Sequence, residues 1–217
     1  MDSTSVIVNE IFYSIQGEST YTGFPCIFVR LTGCNLRCAY CDTRYAYEEG
    51  REMTLREILE AVGQYDCKLV EVTGGEPLVQ EGVYELMEEL IGRSYRVLLE
   101  TNGSLDAERV HPKIVRIIDL KCPGSGESDT IFWGNLDALR ATDQIKFVLS
   151  DRRDYEWVKE MIGQYHLIDQ VEAVLLSPVF ERLKPEHLAA WMLEDGLNAR
   201  LQLQLHKYIW EPDRRGV

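Results

Sequence analysis

Short apolar runs alternate with amphipathic stretches along almost the whole chain, and this alternation restricts the fold more than any other feature. The runs at residues 6–13, 26–31, 68–72, 95–99, 114–120, 144–149, 171–176 and 201–205 read as strands, being short and rich in Val, Ile and Leu. The stretches 54–65, 83–91, 136–140, 151–165 and 185–195 read as helices. Thr54-Leu55-Arg56-Glu57 is a capping box, and Leu55, Ile58, Leu59 and Val62 fall on one face behind it. Val83, Leu86, Met87, Leu90 and Ile91 make a second stripe, and Pro185 suits the first turn of a helix. An order of strand, helix, strand implies a parallel sheet with right-handed crossovers.

The unusual polar residues fall just after strand ends. They are a cysteine-rich loop at 33–43, Thr73-Gly74-Gly75-Glu76-Pro77, Glu100-Thr101-Asn102-Gly103, Lys121, Ser177 and His206. In barrels and open α/β sheets, those ends line the active site. The seven runs from 26–31 onward fall short of the eight strands of a closed barrel. The expected fold is therefore α/β: a partial, open (β/α) TIM-like barrel with one functional rim. The chain has 217 residues and shows no repeat or linker, so one domain over 1–217 is expected, long enough to bury a core.

The loop Gly33-Cys34-Asn35-Leu36-Arg37-Cys38-Ala39-Tyr40-Cys41-Asp42-Thr43 carries three cysteines in eight positions. Thiolates are soft ligands suited to zinc and iron–sulfur clusters. A structural zinc site wants four protein ligands, and an ordinary cubane also wants four cysteines. Three without a local fourth suggest a cluster with one iron left open. The competing readings are a zinc site completed by His206 or Cys122, or three core thiols. Cys26 and Cys67 lie in or beside apolar runs and read as plain buried thiols.

A net charge of −13 argues against a generic nucleic-acid surface. No apolar run approaches the ~18 residues that span a bilayer. Met1-Asp2-Ser3-Thr4 lacks the pattern of a signal peptide. The expectation is a cytoplasmic protein with no membrane or nucleic-acid partner, in a reducing compartment where clustered cysteines bind metal.

Four further groups can touch a ligand. Arg30 interrupts an apolar strand, so it needs an anion: an internal carboxylate, or the carboxylate of a ligand clamped by its planar fork. Gln16-Gly17-Glu18 offers amide and carboxylate groups that can read the edge of a heterocycle, or it is a polar surface turn. Gly74 and Gly75 permit close approach to the backbone with the Glu76 carboxylate beside them, or they make a tight turn. His206 is one of four histidines, at a strand end, open to roles as base, ligand contact or surface residue.

Cys34-x-x-x-Cys38-x-x-Cys41 resembles the signature of the radical S-adenosylmethionine (SAM) superfamily, and Gly74-Gly75-Glu76 its SAM-binding glycine motif. Glu10-Ile11-Phe12-Tyr13-Ser14-Ile15-Gln16-Gly17-Glu18, Phe28 through Cys38, Cys41-Asp42-Thr43, Glu100-Thr101-Asn102-Gly103 and Gln204-Leu205-His206-Lys207 are similar, together, to the 7-carboxy-7-deazaguanine synthases of queuosine and deazapurine biosynthesis. Ser19 departs from the family's usual glycine, and Leu205 from its frequent threonine.

The resemblance implies a [4Fe–4S] cluster on Cys34, Cys38 and Cys41, with SAM chelating the open iron. It implies a 5′-deoxyadenosyl radical that abstracts hydrogen from C6 of 6-carboxy-5,6,7,8-tetrahydropterin. Ring contraction with loss of ammonia then yields 7-carboxy-7-deazaguanine, and SAM is regenerated. It implies Mg²⁺ on Thr43; SAM against Tyr40, Cys41, Asp42, Gly74, Gly75, Glu76, Gly103 and Lys146; and the pterin against Ile15, Gln16, Gly17, Glu18, Arg30, Thr101, His206 and Pro212. No catalytic residue beyond cluster and SAM is assigned. A reducing electron donor such as flavodoxin and a homodimer complete the implied set. Two other readings stand beside this one: a glycyl-radical activase acting on a protein, and a zinc-stabilised binding module without catalysis.

Overall fold

The structure is a computed structural model that describes residues 4–217. Met1, Asp2 and Ser3, on which the leader reading rests, lie outside the described residues. The strands are β1 (Ser5–Ile15), β2 (Pro25–Leu31), β3 (Arg51–Thr54), β4 (Leu69–Gly74), β5 (Arg96–Thr101), β6 (Val115–Asp119), β7 (Gln144–Leu149), β8 (Ala173–Pro178) and β9 (Arg200–Leu201). The helices are α1 (Leu55–Val62), α2 (Gly82–Gly92), α3 (Gly134–Asp137), α4 (Arg152–Tyr165), α5 (Leu167–Gln170), α6 (Pro185–Glu194) and α7 (His206–Ile209).

All strands join one sheet in the order β3-β1-β2-β4-β5-β6-β7-β8-β9. From β2 to β9 the neighbours run parallel, which makes seven parallel strands, and the sheet stays open, as a partial barrel does. Two expectations are corrected at its edges. β1 pairs antiparallel with β2 and with β3, so strand–helix–strand order does not hold at the start of the chain. The run 201–205 is not a strand beyond Leu201. The Gln202 N–H still donates to the Leu176 carbonyl of β8 at 2.8 Å, and further on the Leu205 N–H donates to the Gly17 carbonyl at 2.9 Å. His206 therefore begins a short helix instead of ending a strand.

Strand periodicity divides the sheet into two faces. Ile27, Val29 and Leu31 of β2, Val70 and Val72 of β4, and Val97 and Leu99 of β5 pack with Ile58, Val62, Leu86 and Leu90 of α1 and α2. Ile145, Phe147 and Leu149 of β7, with Val174 and Leu176 of β8, pack with Tyr155, Val158 and Leu188 of α4 and α6. Each such fully buried side chain contributes about 1.5–3 kcal/mol, so the outer layer carries the stability of the fold. The alternate residues face inward: Phe28 and Arg30, Glu71 and Thr73, Glu100, Asp119, Lys146 and Val148. Register fixes their neighbours. Arg30 lies opposite Thr73, Phe28 opposite Glu71, and Asp119 opposite Lys146.

The start of α1 bears out the capping box, with the Thr54 side chain accepting from Glu57 N–H and the Glu57 carboxylate accepting from Thr54 N–H. The segment 16–24 after β1 runs inward under the sheet. Thr20 exchanges hydrogen bonds with the Gln144 side chain at the start of β7, and Tyr21 packs with Leu98 and Ile117. Ser19 sits in this segment, buried, at φ +65°, a left-handed conformation that glycine adopts without a steric cost. Its hydroxyl accepts from the Tyr21 N–H at 3.1 Å, a local bond that helps a serine hold a turn.

Candidate active site

The inner face and the strand-end loops enclose a cavity of about 770 Å³, within the usual size of ligand sites. Of the residues singled out from the sequence, Cys34, Cys38, Cys41, Tyr40, Asp42, Thr43, Gly74, Gly75, Lys146, Ile15, Gln16, Gly17, Glu18, Arg30, Thr101, His206 and Pro212 line it. Glu76 and Gly103 do not.

The cysteine loop caps one end. It is tied down by backbone and side-chain bonds: Ala39 N–H to the Ser125 carbonyl at 2.9 Å, Arg37 N–H to Glu127 Oε1 at 2.7 Å, and Asn35 Nδ2 to Ser104 Oγ at 2.8 Å. The three thiols are half-buried and face the same cavity. Burial pushes the Cys34 thiol up and Cys38 up to about 11, with the Lys121 ammonium pulling both back. Among the described residues, no three His, Cys, Asp or Glu side chains gather around a single ion position. A zinc ion needs such convergence. A cubane distributes its cysteines over separate irons and does not. Cys122, a candidate fourth zinc ligand, is instead buried in the outer core with Leu120 and Leu149. The donor set and its shared cavity fit an iron–sulfur cluster.

Gly74 and Gly75 lie directly beneath that loop. A Cβ on Gly74, at φ +144°, would meet the Leu31 carbonyl oxygen at 2.2 Å, and one on Gly75 would meet the Gly33 carbonyl oxygen at 2.1 Å. Close approach is thus required first by the chain itself. Glu76 is completely buried, and its carboxylate accepts from Leu78 N–H (3.0 Å), Thr101 Oγ1 (2.9 Å) and Asn102 N–H (2.6 Å). It ties the Gly-Gly turn to the end of β5. Asn102 in turn points its amide at Cys34 Sγ (3.9 Å) and Asn35 Oδ1 (3.1 Å). Gly103, at φ +71°, gives its carbonyl to Phe132 N–H and Asn135 Nδ2.

The middle of the cavity is a network of buried charges. Lys146 pairs with Glu100 (2.6 Å) and Glu18, and lies 3.8 Å from Asp119. Lys121 pairs with Asp119 at 2.8 Å. Burial opposes each charge. For Lys146 the surrounding Glu100 and Glu18 outweigh it and raise the ammonium's pKa, and Lys146 in turn holds Glu100 below the ordinary range. Asp42 is also held well down, because the Lys207 ammonium at 2.6 Å outweighs burial. The Thr43 hydroxyl donates to Asp42 Oδ1 at 3.0 Å, which leaves its lone pairs for a hard cation.

Arg30 has the internal carboxylate that its place in an apolar strand calls for. Its Nε donates to Glu10 at 2.8 Å, and its guanidinium lies over Phe12 and Tyr45. Among the described residues its two Nη groups make no hydrogen bond, on a side chain that lines the cavity. His206 stands against Gly17, where a Cβ would meet its Nδ1 at 2.2 Å. Burial lowers its pKa, so at neutral pH the ring is uncharged and offers one donor and one acceptor nitrogen. The bond from Leu205 to Gly17 uses backbone atoms, so leucine in place of threonine leaves it intact.

Glu71, Asp119 and Tyr45 line the cavity but had no assigned role from sequence, and Glu100 had none beyond its motif. The available signal was an ionisable residue inside an apolar strand, as in Leu69-Val70-Glu71-Val72.

Comparison with known proteins agrees with this geometry. Residues 28–119 match the radical SAM superfamily. The chain is 47% identical to 7-carboxy-7-deazaguanine synthase of Koribacter versatilis, over 97% of this chain and 99% of that one. It is 48% identical to the enzyme of the same name from Chlorobaculum tepidum, over 97% and 96%. Its fold resembles the crystal structure of Escherichia coli QueE, with a TM-score of 0.77 and 24% identity over 93% of this chain and 95% of that one. This chain therefore belongs to the 7-carboxy-7-deazaguanine synthase family of the radical SAM superfamily, whose members use a [4Fe–4S] cluster and SAM.

Proposed function

We propose that the chain converts 6-carboxy-5,6,7,8-tetrahydropterin to 7-carboxy-7-deazaguanine with loss of ammonia. The observation that carries this reading is Arg30. Its free Nη pair enters the same cavity as the three thiols, and a planar fork suits a ligand carboxylate. Cluster and SAM, when bound, supply the radical that takes hydrogen from C6. The chain's own residues bind and orient. Arg30 holds the substrate carboxylate. Gln16, Glu18 and Thr101, with the backbone of Ile15 and Gly17, border the heterocycle. His206 offers a neutral imidazole, and Pro212 closes the far wall. Tyr40, Asp42, Gly74, Gly75 and Lys146 border SAM, while Glu76 and Gly103 act from behind it by fixing the loops.

Mg²⁺ on Thr43 belongs to the same proposal, supported by the free lone pairs of its hydroxyl. A low-potential donor of the flavodoxin kind and a homodimer are carried by family resemblance. No helix of the described residues is long and apolar enough to cross a membrane.

Anaerobic reconstitution with iron and sulfide, then assay with SAM, a reductant and the carboxy-tetrahydropterin, tests the reading. The expected result is 7-carboxy-7-deazaguanine with SAM unconsumed. Cluster-loaded protein that cleaves SAM but forms no product would overturn it and favour a protein substrate. Chelation with EDTA is expected to cut turnover several-fold, restored by Mg²⁺ in the wild type and not in Thr43→Ala.

A further inference from the structure

Glu71 sits in the middle of β4, between Val70 and Val72, which are both completely buried on the helix side. Strand alternation turns Glu71 the other way, onto the floor of the cavity, where it is 3% exposed. Its Oε2 accepts a hydrogen bond from Gln16 Nε2, and the Gln16 Oε1 accepts from the Glu18 N–H at 3.0 Å. Both ends of the Gln16 amide are thereby committed, and its orientation is fixed. The Glu71 Oε1 makes no hydrogen bond within the described residues.

The charges around it are unevenly shared. Around it, four carboxyls, Glu18, Glu71, Glu100 and Asp119, share two ammonium groups, Lys121 and Lys146, and the Arg30 guanidinium of the same cavity acts on Glu100. Lys146 is taken by Glu18 and Glu100, and Lys121 by Asp119. Glu71 alone of the four has no cation in ion-pair reach. A buried carboxylate without a cation is costly and takes a proton instead. Burial, then the neighbouring Glu100 and Glu18, push its pKa well above the ordinary range in agreement with that geometry. Since Oε2 is the oxygen that accepts from Gln16, the proton belongs on Oε1.

We propose that Glu71 is a further substrate-contact residue, whose carboxyl locks Gln16 through Oε2 and donates its Oε1 hydroxyl to an acceptor of the bound heterocycle, a lactam oxygen or ring nitrogen. This rests on the pterin reading above. Burial of a neutral carboxylic acid as a donor is established chemistry in other active sites.

Glutamine keeps both functions, a carbonyl for Gln16 and an N–H donor for the ligand, whereas leucine keeps neither. In cluster-loaded enzyme, Glu71→Gln is expected to hold KM for the pterin within about threefold, and Glu71→Leu to raise it about tenfold or more, with SAM affinity unchanged. Difference infrared spectra of the wild type should show a carboxylic-acid C=O band that shifts when the pterin binds and is missing in Glu71→Gln. Stability gives an independent readout. A pKa raised above the ordinary 4.5 means stability that is complete below that pH and lost as pH rises. Glutamine does not titrate, so the melting temperature of Glu71→Gln should gain on wild type between pH 5 and pH 8, a range chosen around neutrality. A Gln variant with pterin affinity reduced tenfold, or a wild type lacking the substrate-sensitive band, overturns the proposal even where the Leu variant does not fold. Wild type that makes no 7-carboxy-7-deazaguanine instead sinks the substrate reading itself.

Discussion

Arg30 is held at one edge of its guanidinium and open at the other, and that asymmetry makes it informative to change. Arg30→Ala removes the fork and also leaves Glu10 without its cation, with only the Tyr45 hydroxyl still donating to it. Pterin KM is expected to rise about tenfold or more, while reductive cleavage of SAM without substrate stays near wild type. Arg30→Lys keeps a charge but not two parallel donors, and should recover only part of the loss. Steady-state kinetics beside a substrate-free SAM cleavage assay separates these outcomes. The same residue shows what the sequence could tell. Arg30 stood out as a charge in an apolar strand. Glu71 carries the identical signal, but in mid-strand, away from the strand ends where the other polar residues cluster. Its meaning depends on which carboxyls and ammonium groups the register sets beside it, and that pairing joins residues far apart in the chain. Ser19 marks the reverse case. Its departure from glycine was visible, and the left-handed backbone supplies the physical reason.

At the level of elements, helices were the most legible, because their apolar stripes and the Thr54 cap are local signals. The edges of the sheet were not. β3, Arg51–Thr54, has no apolar run and exists because β1 offers it a partner. Residues 201–205 alternate as a strand should, but competition from the 16–24 segment wins after Leu201. The turn after β4 combines both sorts of information. Its glycines were legible, but the groups they approach were the cysteine loop's own backbone as well as any ligand. Gly75→Ala should therefore act on the cluster before it acts on SAM. The added methyl forces Gly33 and Cys34 to shift, at a cost of about 1–3 kcal/mol. Iron and sulfide content after reconstitution, with the melting temperature, checks this. A variant that loads a full cluster but fails to bind SAM would contradict it.

Across the molecule, the two large apolar clusters lie between the sheet and its helices, and the charged groups gather on the inner face beside two smaller apolar clusters, around Phe12 and Phe28 and around Leu98 and Ile117. Arg116 and Asp143 form a wholly buried ion pair that does not line the cavity. Arg116 also donates to the carbonyls of Ala107 (3.2 Å) and Ala138 (2.7 Å), joining the connections that lead into β6 and β7. Asp143→Ala leaves a buried guanidinium without its anion and should cost about 3–5 kcal/mol in denaturant unfolding. Pterin KM of the folded fraction should change little. A large KM change would mean that this ion pair and the cavity are coupled.

The seam between the 16–24 segment and the residues after β9 reaches furthest along the chain. Gln204 meets Glu18 across 186 residues, and Lys207 meets Asp42 across 165. On a ribosome the cysteine loop emerges long before the segment that walls it in. Until residues 204–207 follow, the side of the cavity that they line is not yet built. Contacts of such span also form late during refolding, because long loops must close first. The order of synthesis thus leaves an interval in which the cysteine loop is made but the contacts of Gln204 and Lys207 beside it are not.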